Sequence, residues 1–273
     1  MSVREIVVAK DGSSEYDTIA SALDAAGSAT PARPVEVIVK EGVYEETLTT
    51  RDWVNLTGVD RDSCVIRFHG GDGDGSGKQV ISATSNTTLR NLTVIGIQVK
   101  YSIHSDGGGA YALKLENCVI RREYPEEYPR THVKACGIGL HGGQHIVMVD
   151  CRVEAELPVY LHNYPNEPGP CSMTLEGCAL KGKECAVDVF LLGSKQRDYL
   201  VVHDSVLDAA GIGIQYRNAR DVAWAPAYHG ESEMELVGSG NRLVGISGAT
   251  MRDDSQDRRS GIEIAQGNTS GAI

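Results

Sequence analysis

The sequence predicts an all-β chain wound as a right-handed parallel β-helix, a solenoid closed at its start by a short helix. Three observations carry this prediction. Five segments superimpose at a long period, the apolar residues fall in runs too short for helices, and 31 glycines accompany only two Phe and two Trp. Short Val, Ile and Leu runs punctuated by Gly, Asn and Asp are the pattern of strands and tight turns.

The repeated segments span 88–95, 114–120, 147–153, 174–180 and 201–207. Each reads apolar, polar, a turn-forming residue, a small or apolar residue, and a further apolar residue two positions on. The turn positions are Asn91, Asn117, Asp150, Gly177 and Asp204, at intervals of 26, 33, 27 and 27 residues. Self-similarity at such a period means stacked coils that each bury a face against the next. Cys118, Cys151, Cys178 and Ser205 follow the turns and are expected to stack inside as small core residues.

A second series lies between these segments: Ser102-Ile103-His104, Gly139-Leu140-His141, Tyr160-Leu161-His162, Asp188-Val189-Phe190 and Gly213-Ile214-Gln215. Because strand side chains alternate faces, this pattern stacks Ile103, Leu140, Leu161, Val189 and Ile214 inside and turns their neighbours outward. Two strands per coil are thus visible, and the leftover residues leave room for a third. The whole of 1–273 reads as one β-helix domain. An amphipathic helix over about 17–27, with Asp17 or Thr18 as cap and Gly27 as stop, would plug its start. From about 228 the chain turns polar and glycine-rich and is expected to form an irregular last coil or tail.

Composition excludes several functions. Of 273 residues 41% are hydrophobic, enough for a core, and the formal charge is −11, which argues against a nucleic-acid or anionic-membrane binder. No run approaches the roughly 20 apolar residues of a membrane span. The first residues lack a secretory h-region, so the expectation is a cytoplasmic, virion-borne or released protein. Seven cysteines without a C-x-x-C pair argue against a disulfide framework or zinc knuckle.

The N-terminal block carries a resemblance. Val8-Ala-Lys-Asp-Gly-Ser, then Tyr16-Asp-Thr-Ile-Ala-Ser-Ala-Leu, then Val35-Glu-Val-Ile-Val-Lys-Glu-Gly-Val-Tyr-Glu-Glu46 resembles the opening of pectin-lyase-like β-helix proteins, pectinesterases especially. Residues 5 to about 70 match closely, and the later coils match in architecture. The resemblance implies that the helix caps the solenoid. It also implies a nucleophilic Asp in an Asp-Phe-Ile-Phe-Gly motif, echoed by Val187-Asp188-Val189-Phe190-Leu191-Leu192-Gly193. The family's second Asp, in Gln-Asp-Thr-Leu, aligns with Val159-Tyr160-Leu161-His162. Its Leu-Gly-Arg-Pro-Trp element is missing, although Arg217 and Arg220 occur one coil on. The later region also resembles uncharacterised β-helix proteins of phage tails and bacterial surfaces.

On the register above, His104, His141 and His162 form an outward column beside Ser102, Gly139, Tyr160, Asp188 and Gly213. The small residues of the second column would leave a groove around Tyr160 and Asp188. An imidazole can take a proton near neutral pH, a phenol can donate one, and a carboxylate can attack or orient. His162, Tyr160 and Asp188 are therefore the expected reacting set, with His141 extending it and Arg217 as carboxylate or oxyanion partner. His104, Arg220 and the loop tyrosines Tyr124, Tyr128 and Tyr164 are the expected substrate contacts, their loops projecting as walls. A histidine stack serving stability alone is the alternative reading. A metal site is a third, opposed by the roughly 9.5 Å between the outer imidazoles of such a column.

The leading expectation is a carbohydrate-active enzyme that cuts a uronate-containing polysaccharide by β-elimination or ester cleavage, with an epimerase not separable by sequence. The rival is a noncatalytic phage-tail or cell-envelope rod, structural or receptor-binding, which would assemble as a homo-oligomer, a trimer. No cofactor is expected. Asp72 and Asp74 alternate as in some calcium loops but lack the twelve-residue pattern, so a flexible loop is the preferred reading.

Overall fold

The computed structural model describes residues 3–71, 79–104, 109–123, 135–164, 167–183, 185–191, 196–209, 212–218, 233–244, 251–253 and 269–270. For 212, 216–218, 233, 243–244, 251–253 and 269–270 it describes the backbone alone. The strands fall into three parallel sheets which, in the order each coil visits them, have nine, nine and eight strands, and successive coils give one strand to each. One coil, for example, contributes Tyr111–Glu116, Val119–Glu123 and Cys136–Leu140. The third strand that the leftover residues had room for is thus present. A continuous apolar core runs between the sheets, from Ile6 and Val8 to Met234 and Leu236.

The repeat position is the corner between the first two sheets. Asn91, Asn117, Asp150 and Asp204 all have φ near +50°, and Gly177 and Gly240 sit at 61° and 69°. Left-handed backbone is costly for most L-residues, and Asn, Asp and Gly are the types that tolerate it. Neighbouring corners support one another: Asn117 Nδ2 donates to Asn91 Oδ1 at 2.8 Å, and Arg61 Nη1 donates to Asn117 Oδ1 at 2.9 Å. Just past the corner, Cys118, Cys151, Cys178 and Ser205 stack inside as a buried ladder. The Cys118 amide donates to Cys151 Sγ at 3.4 Å, the Cys178 amide to Ser205 Oγ at 3.0 Å, and the Ser205 amide to Asn241 Oδ1 at 2.9 Å. Hydrogen bonding with Cys118, together with burial, pushes the Cys151 thiol up to about 12, so it stays protonated at neutral pH. All seven cysteines are free and buried.

The helix at the start of the solenoid spans Ile19–Ala26, with Thr18 as N-cap and Gly27 at φ 64° as its stop. Ile19, Ala22, Leu23 and Ala26 face the core. A distant residue completes the cap: the Glu46 carboxylate accepts from the Ile19 and Ala20 amides, each at 2.9 Å. Two residues before it, Tyr44 is fully buried and donates to the Lys40 carbonyl at 2.9 Å. Together these contacts explain why the Gly-x-Tyr-x-Glu segment, Gly42 to Glu46, accompanies the helix. Glu46→Ala orphans two helix amides and removes an anion from the positive helix end, at an expected cost of about 1–2 kcal/mol, measurable by urea denaturation.

At the far end, the expectation of an irregular coil from about 228 is corrected for residues 233–244. Glu233–Ser239 pairs in register with Arg197–His203, and Arg242–Val244 pairs with Val206–Asp208. Met234 and Leu236 alternate inward and continue the core, which the polar composition of the segment conceals. Asp72 and Asp74 lie outside the described residues. Among the described residues no helix is long and apolar enough to cross a membrane.

Candidate functional site

The third sheet carries Tyr101–His104, Cys136–Leu140, Leu157–Asn163, Cys185–Leu191 and Ile212–Asn218. Its register corrects part of the sequence reading. Ile103 pairs with Ile138, not with Leu140, so His104 lies opposite Gly139 and not opposite His141. Gly139 then pairs with Tyr160, Tyr160 with Asp188, and Asp188 with Gln215, not Gly213. Both ends of the expected alignment were therefore displaced by two residues. A two-residue slip keeps every side chain on its own face, so the apolar alternation cannot detect it.

Two outer columns result. One runs His104, Gly139, Tyr160, Asp188, Gln215. The other continues one residue past Leu140 and Leu161 through His141 and His162, then Phe190 and the backbone position of Arg217. Ile138, Leu140, Val159, Leu161, Val187 and Val189 point to the core, which places both columns on the opposite face. That face is not the open groove expected. His104 and Asp188 have no exposed surface, His141 and His162 are 4% and 5% exposed, and Tyr160, Tyr164 and Gln215 are partly exposed.

The displaced register still brings the three imidazoles together. Ring centroids lie 5.7 Å apart for His104 and His141, 5.9 Å for His104 and His162, and 5.6 Å for His141 and His162. Gly139 makes this arrangement fit, because a Cβ there would fall 2.4 Å from the Tyr101 ring and 3.0 Å from His104 Nδ1. The His104 ring lies over that gap, 4.0 Å from the Tyr101 ring, and donates from Nδ1 to the Gly139 carbonyl at 2.8 Å. Gly139→Ala is therefore expected to displace Tyr101 and His104 at a cost of about 1–3 kcal/mol. Two-dimensional NMR should show the His104 and His162 ring signals moving while the first-sheet amides stay in place.

Tyr160 lies 4.8 Å and Tyr164 5.2 Å from the His162 ring, centroid to centroid. The loop carrying Tyr164 was expected to project, but its described residues fold back on the preceding coil. The Gly143 amide donates to the Gly169 carbonyl at 2.9 Å, and a Cβ at Gly142 would fall 2.2 Å from Glu167 Cβ. Glu167 thereby reaches His141, its carboxylate 3.0 Å from Nδ1. On the other side Gln144, fully buried, places Nε2 2.8 Å from His141 Nε2. Its Oε1 accepts from the His141 amide at 3.0 Å and from the Tyr111 hydroxyl at 3.1 Å. Deeper still, Asp198 accepts from Asn163 Nδ2 and from the Cys171 amide, both at 2.7 Å.

The structure thus gathers His162, Tyr160, Asp188, His141, His104 and Tyr164 on one face and puts the backbone of Arg217 on the same column. Tyr124, Tyr128 and Arg220 lie outside the described residues. Sequence reasoning missed Gln144, Glu167, Asn163 and Asp198. The available signals were position: Gln144 is three residues after His141, and Glu167 lies 26 residues beyond it, near one coil period. Among the described residues no group of three or more His, Cys, Asp or Glu is arranged to hold a metal ion.

Three parallel sheets wound coil on coil, with one capping helix, define a right-handed parallel β-helix. Solved proteins share this fold over the whole chain at low identity. Pectin methylesterase PemA from Erwinia chrysanthemi superposes with a TM-score of 0.61 at 14% identity, covering 99% of this chain and 90% of PemA. The carrot pectin methylesterase gives 0.60 at 14%, covering 100% and 89%, and pectate lyase Pel9A gives 0.55 at 13%, covering 100% and 79%. Within the class, the Pectinesterase family model matches residues 5–119, less than half of the chain and short of Tyr160 and Asp188. A putative pectinesterase/pectinesterase inhibitor 38 of Arabidopsis thaliana is 40% identical over 79 residues, 29% of this chain. That match spans only 14% of the Arabidopsis protein.

Proposed function

We propose that this chain is a carbohydrate esterase of the parallel β-helix class, acting on an ester-bearing, uronate-containing polysaccharide along the outer face of the third sheet. The observation that carries the reading is the place of Asp188, one rung from Tyr160 and diagonal to His162, in the strand that echoes the pectinesterase nucleophile motif. The N-terminal Pectinesterase match supports the same class. In this reading Tyr160 and Tyr164, the partly exposed members, meet the sugar rings first, and Asp188 lies behind them.

The chemistry follows from the residue types. The Asp188 carboxylate adds to the ester carbonyl, and the tetrahedral centre collapses to an enzyme anhydride as the alkoxide leaves. Tyr160 gives the alkoxide its proton, and His162 takes one from the water that then cleaves the anhydride, returning it to Tyr160. Arg217 is the residue assigned to the developing oxyanion.

The test is methanol and acetate release from a panel of esterified polysaccharides, with ultraviolet absorbance of unsaturated uronate followed in parallel. Methanol or acetate without unsaturated product is the expected result. Unsaturated product would replace the esterase with a lyase on the same fold. A second reading, a noncatalytic structural or receptor-binding rod, is favoured by the complete burial of His104 and Asp188 and the engagement of both His141 nitrogens. It predicts silence across the panel from a well-folded protein.

A further inference from the structure

We infer that Glu167 and Gln144 are positioning residues that lock His141 in one neutral tautomer, Nδ1–H, and so remove it from the proton chemistry, leaving it as rigid backing for His162. The inference deepens the esterase reading and rests on it for its catalytic meaning, but the tautomer stands on geometry alone. It also departs from the expectation that His141 belongs among the reacting groups.

The hydrogen-bond chain has a single direction. Tyr111 is buried, and burial pushes its hydroxyl up, so it donates. Its proton and the His141 amide proton both go to Gln144 Oε1, at 3.1 and 3.0 Å. That fixes which end of the amide is oxygen, since an amide nitrogen could accept neither. The Gln144 NH2 group therefore faces His141 Nε2 at 2.8 Å, and Nε2 has to be the lone-pair nitrogen. The ring proton is left on Nδ1, where the Glu167 carboxylate accepts it at 3.0 Å. With both nitrogens committed, the ring cannot take a proton at Nε2 without meeting an N–H donor.

The locked ring has a visible consequence. His162 stacks on it at 5.6 Å with 28° between planes, whereas the His104 ring meets it edge-on at 80°. Among the described residues, the titratable groups in contact with His141 include Glu167, His162, His104 and, through Gln144, Tyr111. His162, its ring 4.8 Å from that of Tyr160, is the imidazole that the esterase reading has exchange protons with the phenol.

Long-range proton–nitrogen NMR on the nitrogen-15-labelled full chain tests this without any substrate. His141 is expected to show a protonated Nδ1 and a bare Nε2 in the neutral ring. Gln144→Glu replaces the donor facing Nε2 with a carboxylate oxygen and is expected to protonate both nitrogens. A wild-type ring carrying its proton on Nε2 overturns the inference whether or not the variant folds. In the activity assay Glu167→Gln is expected to lower kcat for ester release by about 10-fold with little change in KM. If the wild type releases no methanol or acetate the esterase reading fails, and the NMR result still decides the tautomer.

Discussion

Asp188→Asn is expected to lower ester cleavage by at least about 10³-fold while leaving the protein folded. The amide keeps the shape of the carboxylate but cannot form the anhydride, because its nitrogen is non-nucleophilic and its oxygen carries no charge. The position makes the experiment clean. Asp188 sits in the middle of Cys185–Leu191, paired on one side with Tyr160 and on the other with Gln215, so the surrounding ladder is preserved. Tyr160→Phe should cost less, about 10²-fold, since a proton donor contributes less than a nucleophile. Initial rates of methanol release, with circular dichroism as the fold control, make both measurements. Retention of more than about a tenth of wild-type activity by Asp188→Asn would remove the nucleophile and with it the mechanism. The structural reading predicts a different pattern: no release from any variant, and effects on stability alone.

How much of this was legible follows from what sets each feature. The corner column could be read directly, because left-handed backbone restricts residue type at each turn, and Asn91, Asn117, Asp150, Gly177 and Asp204 record it in the sequence. The buried Cys118, Cys151, Cys178 and Ser205 ladder followed from that column. The position of His104 could not be read, because slipping by two residues leaves inward and outward faces unchanged. What decides it is the space over Gly139, where one absent Cβ admits both the Tyr101 and His104 rings. Glu167 was hidden for another reason. It sits in an irregular segment, and only the close approach to Gly142 and Gly143 turns it towards His141. Burial of the outer face was also illegible, since a histidine or tyrosine on a strand reads as a surface residue until something packs over it.

The largest stability effect is expected at a glycine far from this face. Gly58 ends the strand Val54–Gly58 and pairs with Val39 of the coil before it. A Cβ added there would lie 2.1 Å from the Asn91 carbonyl oxygen, with Cys64 Cβ and Leu92 Cδ2 each at 3.0 Å. The clash is with backbone, so a rotamer change cannot relieve it. Nor can the turn retreat easily. Asn91 holds φ 50°, its amide is bonded to the Glu116 carbonyl at 3.1 Å, and its side chain accepts from Asn117. Moving Asn91 would therefore disturb the next corner as well. Gly58→Ala is expected to cost about 3 kcal/mol or more, despite the small stabilisation that Ala gains by restricting the unfolded chain. That corresponds to a fall in Tm on the order of 5–10 °C. Gly109 is the matched control, because a Cβ there meets nothing within 4 Å, and Gly109→Ala should change stability by no more than about 0.5 kcal/mol. Equal melting temperatures for the two variants would mean that adjacent coils can separate locally to admit a methyl group, and the close stacking on which both outer columns depend would have to be abandoned.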